Sequence, residues 1–294
     1  MFRWPGLSDN PPTSSPLTRA DDPMLHVLLT RFNIASPGRE VAIRNSPGWL
    51  DRRFGLFEQF CLPSIAGQTE RNFHWLIYFD KDTPAEFKER IERDRAIFNF
   101  TPRFVAMFDK ALIADDVRAL AKPGEDLIVT TRLDNDDALS SDFVARVQAA
   151  AVDAPAQTVL NFTQGIAMRN GRLYTASDHS NPFTSLVERD LPTMETIWAK
   201  SHHELGEKWT IVQVPSQPLW LQVVHGENVT NRIKGKLVAD TDIIDSFKIR
   251  SDVAAHRVSP AGVFWDHAVV SPVRKLREFG IKLIKPVVVR IRDR

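Results

Sequence analysis

Through residues 25–152, short apolar runs alternate with segments whose apolar residues recur at helical spacing. Continuous apolar runs of this length are typical of strands that are buried on both faces of a sheet. The four runs lie at residues 26–30, 74–79, 104–108 and 127–131. Strands that alternate with helices predict an α/β fold, here a Rossmann-related and mostly parallel sheet flanked by helices.

Helices are predicted between these strands from apolar spacing and from cap signals. Pro63 is expected to kink or end the regular part of the first helix. The apolar face of that helix carries Leu50, Phe54, Phe57, Cys61 and Ile65. The expected starts of the later helices are Thr83 with Pro84, about residue 115, and Ser140 or Ser141.

The pattern changes after residue 152. Asn170-Gly171 lies between the strand-like segments 159–168 and 173–176, and such a pair is a strong signal for a β-hairpin. A helix or loop region is expected from residue 181 to about 205. Two more strand-like segments follow, at 209–214 and 219–224. The second half therefore predicts a mixed sheet rather than a parallel one.

We expect one domain with an appendage at each end. The domain spans residues 24–250 and divides into a doubly wound half, 24–152, and a mixed-sheet half, 153–250. Residues 1–23 hold five prolines and no periodicity, which is typical of a disordered or loosely docked tail. Residues 251–294 are expected to form a basic C-terminal extension that is partly helical.

Composition narrows the possible classes of protein. The formal net charge is +1, so there is no overall electrostatic argument for a nucleic-acid partner. The single Cys61 lies on an apolar helical face, where a buried thiol in a reducing compartment is expected. The N-terminus lacks the apolar core of a secretion signal, and no apolar run is long enough to span a bilayer. These features predict a cytoplasmic protein.

The last 22 residues are strongly basic. Residues 273–294 contain eight Lys and Arg against Glu278 and Asp293, which gives a local net charge of +6. Leu276, Phe279 and Leu283 recur there at helical spacing. A basic amphipathic segment of this kind is typical of peripheral contact with an anionic membrane surface. An ordinary solvated terminal helix is the alternative.

The highest density of charged side chains is found at residues 132–137, directly after the fourth predicted strand. Asp134, Asn135, Asp136 and Asp137 place three carboxylates and an amide in four consecutive positions. Open α/β sheets bind ligands at the carboxyl ends of their strands. Hard oxygen ligands on a short loop favour Mn²⁺ or Mg²⁺, which leave other positions to water and phosphate oxygens. The run predicts a metal–diphosphate site, with a solvated acidic turn as the alternative.

Three other ion or phosphate motifs are excluded. An EF-hand starting at Asp134 would need an oxygen ligand and a glycine where Ala138 and Leu139 stand. No Gly-rich stretch ends in Gly-Lys-Ser/Thr, and there is no Gly-x-Gly-x-x-Gly, so a P-loop and a dinucleotide fingerprint are both absent. Nucleotide phosphate at this site would therefore need a metal to offset its charge.

Several segments resemble family 2 glycosyltransferases. Residues 61–69 (CLPSIAGQT) followed by 72–77 (NFHWLI) resemble the opening segment of that family, and 133–143 (LDNDDALSSDF) resembles its acidic DxD segment. Residues 30–33 (TRFN) and 220–228 (WLQVVHGEN) resemble more specifically the rhamnosyltransferase group. The resemblance covers about residues 25–235. It implies a GT-A-like fold whose second half faces the acceptor.

The implied activity is transfer of a sugar, rhamnose by the narrower resemblance, from a nucleotide-sugar donor to a glycan or lipid-linked acceptor in surface polysaccharide synthesis. Asp136 is then the first choice for a direct ligand of Mn²⁺ or Mg²⁺. Asp134 contacts the metal or the donor sugar, and Asp137 supports them. His225 completes the ligand set or is a structural histidine.

The resemblance also implies a nucleotide pocket. Arg31 and Asn33, at the end of the first strand, border that pocket together with Asp80, although relatives often show two adjacent acids where Asp80 stands before a lysine. Arg31 is favoured because a cation there offsets the charge of the donor. Arg132 either contacts phosphate or balances the neighbouring acids.

The general base is not marked by a clear motif. An inverting transfer needs a group that takes the proton of the acceptor hydroxyl. The candidates are Asp178, Glu188 and Glu204, of which Asp178 follows the hairpin, close to where relatives place the base. The pair His202-His203 favours a capping or surface role. Trp198, Trp209 and Trp220 favour core packing over stacking on a sugar.

Two other functions stay open at this point. A nucleotidyltransferase that makes nucleotide sugars usually has a Gly-rich basic loop near the first strand, which residues 31–34 lack. A non-enzymatic glycan-binding protein could use the acidic loop for a structural cation. Metal-dependent hydrolysis of a nucleotide sugar to a nucleoside diphosphate discriminates the glycosyltransferase from both.

Overall fold

The computed structural model describes residues 23–34, 44, 46–226, 233–253 and 255–274. The predicted N-terminal tail up to residue 22 and the basic run from residue 275 lie outside the described residues, so those predictions are not addressed by the fold.

A mostly parallel sheet forms the centre of the molecule. Its described strands are β1 (Met24–Arg31), β2 (His74–Asp80), β3 (Thr101–Val105), β4 (Leu127–Arg132), β6 (Thr158–Phe162), β9 (Ser185–Glu188) and β10 (Thr210–Val214). The strand order is β10-β6-β9-β4-β1-β2-β3. All neighbours run parallel except β9, which is antiparallel to β4 and β6. The predicted fold class is confirmed.

Helices cover both faces of this sheet. They are α1 (Trp49–Leu56), α2 (Leu62–Ala66), α3 (Ala85–Ile97), α4 (Lys110–Arg118) and α5 (Phe143–Val152). In β1, Leu28 packs into one apolar cluster while Val27 and Leu29 pack into the other, because successive side chains of a strand point to opposite faces. The continuous apolar run of β1 is therefore the sign of a strand that is buried on both sides.

The first predicted helix is regular only in part. Between α1 and α2 lies a π-helical turn, Phe57–Cys61, and Pro63 falls in the first turn of α2. Residues 49–66 are continuously helical, so Pro63 does not end the helix. It directly follows the π-helical turn, in which the Leu62 N–H donates to the Phe57 carbonyl, and this irregular turn is the interruption of the regular helix. Cys61 is fully buried, as predicted. Burial and the nearby charges of Asp137 and Asp136 raise the pKa of its thiol.

Three predicted helix starts are shifted. Pro84, not Thr83, is the N-cap of α3, and the Thr83 hydroxyl instead donates to the Asp80 carbonyl at 2.6 Å. The helix expected near residue 115 begins at Lys110, where the Asp109 side chain accepts from two backbone N–H groups. Asp142 rather than a serine precedes α5.

A second, smaller sheet has the strand order β5-β11-β7-β8. Its strands are β5 (Ala138–Leu139), β7 (Gln164–Arg169), β8 (Arg172–Ser177) and β11 (Trp220–Val223). Asn170 and Gly171 join β7 to β8 with φ of 49° and 72°, as the predicted hairpin requires. The mixed-sheet prediction for the second half is thereby confirmed.

Two predictions in the second half are wrong. The segment expected as one strand at 159–168 is two strands, β6 and β7, which belong to different sheets. The region expected as helix or loop from 181 to 205 contains β9, which lies inside the main sheet between β6 and β4. A four-residue strand of sequence SLVE carries too short a pattern to be distinguished from a loop.

The C-terminal segment packs on the smaller sheet. The His256 N–H donates to the Gly171 carbonyl at 2.7 Å, and Val258 and Val263 pack against a cluster that includes Tyr174. A helix, α6 (Pro260–Trp265), continues into a π-helical turn, Asp266–Val270. The extension predicted from residue 251 is thus attached to the domain through residue 274. Within the described part of the chain, no helix is both long and apolar enough to cross a bilayer.

Candidate functional site

The acidic loop after β4 is fixed to the end of β1. The Leu133 N–H donates to the Leu29 carbonyl at 3.1 Å, and the Asn135 amide donates to the Phe32 carbonyl at 3.2 Å. Asn135, Asp136 and Asp137 are all buried. The buried position and these fixed hydrogen bonds do not fit a solvated acidic turn.

Asp137 joins the acidic loop to β11. Its Oδ1 accepts the Val223 N–H at 2.8 Å, which positions the chain just before His225. Burial, followed by the charges of Asp136 and Asp134, raises the pKa of Asp137 well above its ordinary value. Asp137 thus acts on the site by holding a neighbouring strand, and its side chain is directed at backbone.

Asp136 lies between two cationic or potentially cationic side chains. Its Oδ2 is 2.6 Å from the Arg53 guanidinium, which comes from α1, and 2.9 Å from Nε2 of His225. Burial raises the pKa of Asp136, but the hydrogen bond from His225 and the charge of Arg53 together lower it below the ordinary value. Asp136 is therefore a buried, ionised carboxylate at the carboxyl end of the sheet.

The structure brings together a smaller metal-ligand set than the sequence predicts. Among the described residues, no three His, Cys, Asp or Glu side chains converge in a way that could hold a metal. Asp136 and His225 do converge, and they offer a carboxylate oxygen and an imidazole nitrogen. Two protein ligands fit Mg²⁺ or Mn²⁺ when the ion arrives with phosphate oxygens and water.

Asp134 contacts different residues from those that contact Asp136. Its carboxylate oxygens lie 3.2 and 3.3 Å from the Arg132 guanidinium, which also contacts Nδ1 of His202 at 3.3 Å. Burial, followed by the charges of Arg132 and His203, lowers the pKa of His202 to about 4. His202 is consequently neutral at pH 7 and is able to accept or donate a hydrogen bond beside Asp134.

The predicted nucleotide-binding residues cluster where β1 and β2 end. Asn33 Oδ1 accepts the Asp80 N–H at 3.0 Å, and its amide donates to the Thr83 hydroxyl. Asp80 is buried and pairs with Arg44. The Arg31 guanidinium lies over the ring of Phe108 at 6.0 Å. Asn33 therefore holds the loop together, whereas Arg31 and Asp80 present charge at this edge.

The three candidate bases lie in different environments. Asp178 is part-exposed, its Oδ1 accepts the Ser180 N–H at 2.9 Å, and Ser180 in turn donates to the His202 carbonyl. Glu204 is exposed and lies two residues beyond His202. Asp178 is thus linked through Ser180 to the backbone of His202, whose ring contacts Arg132.

Glu188 lies at the opposite end of the sheet. It pairs with Ile128 near the start of β4, roughly 13 Å along the strand from Arg132. Both of its carboxylate oxygens accept backbone N–H groups, from Glu195 and Thr196. Burial, partly offset by those hydrogen bonds, raises its pKa. The structure does not bring Glu188 to the acidic loop, because its carboxylate anchors the turn after β9.

The comparison with known families supplies the decisive observation. Residues 25–237 match the model of the family described as "Putative rhamnosyl transferase". The chain belongs to that family. The description of this family agrees with the resemblance found in the sequence. None of the curated proteins matches the chain.

The chain has distant similarity to several solved structures. The S. aureus TarS fragment 1–349 in complex with UDP has a TM-score of 0.43 at 10% identity, covering 68% of this chain and 60% of that one. Longer TarS gives 0.42 at 12% identity, covering 68% and 37%. The inositol-1-phosphate CTP transferase of T. maritima gives 0.38 at 8%, covering 80% and 98%. The chain thus spans at most about three-fifths of these TarS chains.

The sequence did not single out two residues of this candidate site. Arg53 lies three positions after Leu50 and four before Phe57, at the edge of the apolar face of α1, where a charged side chain is a detectable irregularity. His202 was interpreted as a capping or surface residue but contacts Arg132. Nothing in the local sequence links either residue to the acidic loop. Trp198, Trp209 and Trp220 are buried, in agreement with core packing.

Proposed function

We propose that the chain is a metal-dependent glycosyltransferase that moves a sugar from a nucleoside-diphosphate donor to a glycan or lipid-linked acceptor in surface polysaccharide synthesis. The family description supports rhamnose as the sugar. The single buried Cys61 supports a cytoplasmic location. Peripheral contact of the basic C-terminus with a membrane stays a prediction of the sequence.

The contact of Asp136 with His225 carries this proposal. A buried carboxylate and an imidazole, 2.9 Å apart, lie where the main sheet ends and two loops meet. The Arg53 guanidinium contacts the same carboxylate oxygen. A divalent ion held by Asp136 and His225 would neutralise charge on the departing diphosphate.

Other residues of the chain would contribute to binding of the donor. Arg53 is placed to shift from Asp136 to a phosphate oxygen, because its Nε is buried without a hydrogen-bond partner among the described residues. Arg132 holds Asp134 beside the position proposed for the donor sugar. Arg31 and Asp80 border the proposed nucleotide pocket, and Asn33 keeps that pocket in shape.

Asp178 is the best supported base. Part-exposure leaves its carboxylate able to reach an acceptor hydroxyl, and its link through Ser180 to His202 orients it toward the Asp134 side of the loop. Lys234, 3.4 Å away, balances its charge without burying it. Glu204 is the alternative base. Glu188 is set aside, since its carboxylate is engaged far from the loop.

The proposal is tested by release of nucleoside diphosphate from a panel of nucleoside-diphosphate sugars, with Mn²⁺ or with EDTA. Wild-type protein is expected to release nucleoside diphosphate only with the metal. Asp136→Asn is expected to lose about 100-fold or more of this rate, whereas Asp142→Asn, which changes an acid at the start of α5, is expected to retain it. Release of pyrophosphate would instead indicate nucleotidyl transfer, and equal activity with EDTA would rule out the metal.

A further inference from the structure

In the helical segment at residues 260–274, the residues that are exposed are all apolar. We define its apolar face as the exposed residues Ala261, Phe264, Trp265, Ala268, Val269, Pro272 and Val273. Eight large hydrophobic side chains of the described residues are exposed, and four of them lie on this one segment. Phe264 is 72% and Trp265 61% exposed. An apolar surface concentrated in this way marks an interaction site.

The opposite face of the segment is firmly attached to the protein. Asp266 accepts the Leu237 N–H at 3.0 Å, and His267 lies 2.8 Å from the Leu237 carbonyl. Arg274 contacts Asp266 and the Gly235 carbonyl, each at 3.0 Å, and its guanidinium lies over Tyr174. These contacts fix the orientation of the segment, so the apolar face is directed away from the protein by its polar anchors.

The residues that follow this segment in the sequence are basic, so they would be attracted to a negatively charged surface. Residues 275–294 carry seven Lys and Arg against Glu278 and Asp293, directly after the apolar face ends. Each basic residue near an anionic lipid surface adds to the attraction, while aromatic side chains such as Trp265 favour the headgroup level. An apolar face beside a basic run therefore matches a surface that offers both acyl chains and negative headgroups.

A second copy of the chain fits the same features poorly. A twofold contact brings the same patch of both copies together. Because the basic residues follow this patch directly in the sequence, such a contact would concentrate like charges, which repel. Charge thus favours an anionic partner over self-association.

We propose that the apolar face of residues 260–274 rests on the anionic surface of a membrane, with the following basic run contacting the headgroups. The segment is attached to the smaller sheet, which includes β11, and β11 leads to His225. Contact through this face therefore brings the second half of the domain close to the lipid surface. The inference does not depend on the glycosyltransferase activity.

The full chain is tested by sedimentation with vesicles of phosphatidylcholine alone and of phosphatidylcholine mixed with phosphatidylglycerol. Wild-type protein is expected to sediment with the mixed vesicles only. The double variant Phe264→Ser/Trp265→Ser is expected to bind at least tenfold more weakly. Raising the salt from 0.1 M to 1 M, which shortens the Debye length from about 10 Å to about 3 Å, is expected to weaken wild-type binding.

A matched control comes from two equally exposed side chains elsewhere. Ile97 and Met107 are 64% and 66% exposed, so Ile97→Ser/Met107→Ser removes comparable apolar surface outside this face. This control is expected to bind like wild type, with unchanged circular dichroism in both double variants. A blue shift of tryptophan emission with mixed vesicles is expected for wild type and is expected to shrink in Trp265→Phe.

Three results would overturn the inference. The first is wild-type protein that stays in the supernatant with the mixed vesicles. The second is Phe264→Ser/Trp265→Ser protein that binds as strongly as the Ile97→Ser/Met107→Ser control. The third is a dimer in sedimentation velocity that only Phe264→Ser/Trp265→Ser dissociates, because that result assigns the face to a second copy.

Discussion

Two adjacent aspartates of the acidic loop have opposite electrostatic environments. Both are buried, and burial is the largest influence on the pKa of each. Asp136 contacts His225 and Arg53, which lower its pKa. The pKa of Asp137 is instead raised by burial and by the charges of Asp136 and Asp134, against the opposing effect of the Val223 N–H. Neighbouring acids whose pKa values are pushed apart are characteristic of functional sites. The same residue type is therefore an ionised carboxylate beside His225 at one position and an acceptor for a backbone N–H at the next.

Arg53 is expected to act as a positive charge that a divalent ion can replace. Arg53→Gln leaves a buried carboxylate with one partner fewer, and we expect the free energy of unfolding to fall by about 1 to 3 kcal/mol without metal. Mn²⁺ is then expected to raise the melting temperature more in the variant than in wild type. Thermal unfolding with and without Mn²⁺ measures both effects.

Arg52→Gln is the control for that experiment. Arg52 is exposed, and its guanidinium donates to the Pro47 carbonyl at 2.9 Å and to the Ser46 hydroxyl at 3.4 Å. The control is expected to change stability by less than about 0.5 kcal/mol and to respond to Mn²⁺ like wild type. Identical behaviour of Arg52→Gln and Arg53→Gln would contradict the role given to Arg53.

Asp94 makes stability depend on pH. It is 4% exposed on α3, and its Oδ2 has no hydrogen-bond partner among the described residues. Burial, followed by the charge of Glu58, raises its pKa from 3.8 to about 7. The folded protein therefore keeps this proton where the unfolded chain has lost it, so the stability contributed by neutral Asp94 is lost as pH rises from 3.8 to about 7.

Asp94→Asn removes this dependence because an amide does not titrate. The variant is expected to be more stable than wild type at pH 8, by up to about 4 kcal/mol, and similar to it at pH 4. Denaturant unfolding over this pH range measures the difference. A constant difference at every pH would show that Asp94 does not titrate in the way stated.

At the scale of elements, β11 is the part that carries His225 to the acidic loop. Trp220, at the start of β11, lies across Gly165 of β7 and donates through Nε1 to the Phe162 carbonyl at 2.8 Å. Its indole stacks on Phe183 at 5.0 Å. A bulky indole fits this position only because the residue opposite it has no side chain.

Gly165→Ala is expected to disturb this packing. A Cβ at residue 165 would lie 2.1 Å from the Trp220 ring, which is rigid and enclosed. We expect a loss of about 2 kcal/mol or more in the free energy of unfolding, with lower donor turnover because His225 shifts. Denaturant unfolding and the nucleoside-diphosphate assay measure the two effects.

Gly55→Ala is a matched control in α1. Nothing lies within 4 Å of a Cβ at that position, and alanine has a higher helix propensity than glycine. The control is expected to be stabilised by up to about 1 kcal/mol with unchanged activity. Equal stability of the two alanine variants would show that Trp220 does not require glycine at 165.

Elements were predictable from sequence where the pattern is local. Strands β1, β2 and β4 are continuous apolar runs, and Asn170-Gly171 predicts the β7–β8 hairpin. Strand β9 was missed because its four residues are buried through pairing with β4 and β6, which lie far away in sequence. The helix starts were misplaced where a side chain such as Thr83 forms a loop contact instead of a cap.

At the scale of the whole molecule, the sheet topology makes the position of the acidic loop predictable from the sequence. Parallel strands end at one edge of a sheet, so a polar run directly after β4 must lie near the ends of β1 and β2. The partners of that loop were less accessible, because Arg53 and His225 are 83 and 89 residues from Asp136. Their adjacency in sequence also suggested that Asp134, Asp136 and Asp137 share one ion. In the structure, Asp134 contacts Arg132, Asp136 contacts His225, and Asp137 accepts the Val223 N–H.

The metal–diphosphate site is tested most directly by anomalous diffraction from crystals grown with Mn²⁺ and a nucleoside diphosphate. One manganese peak is expected about 2.0 to 2.4 Å from a carboxylate oxygen of Asp136 and from Nε2 of His225, bridged to phosphate oxygens. A nucleotide bound elsewhere, or bound here with no manganese peak at Asp136, would contradict the proposed site.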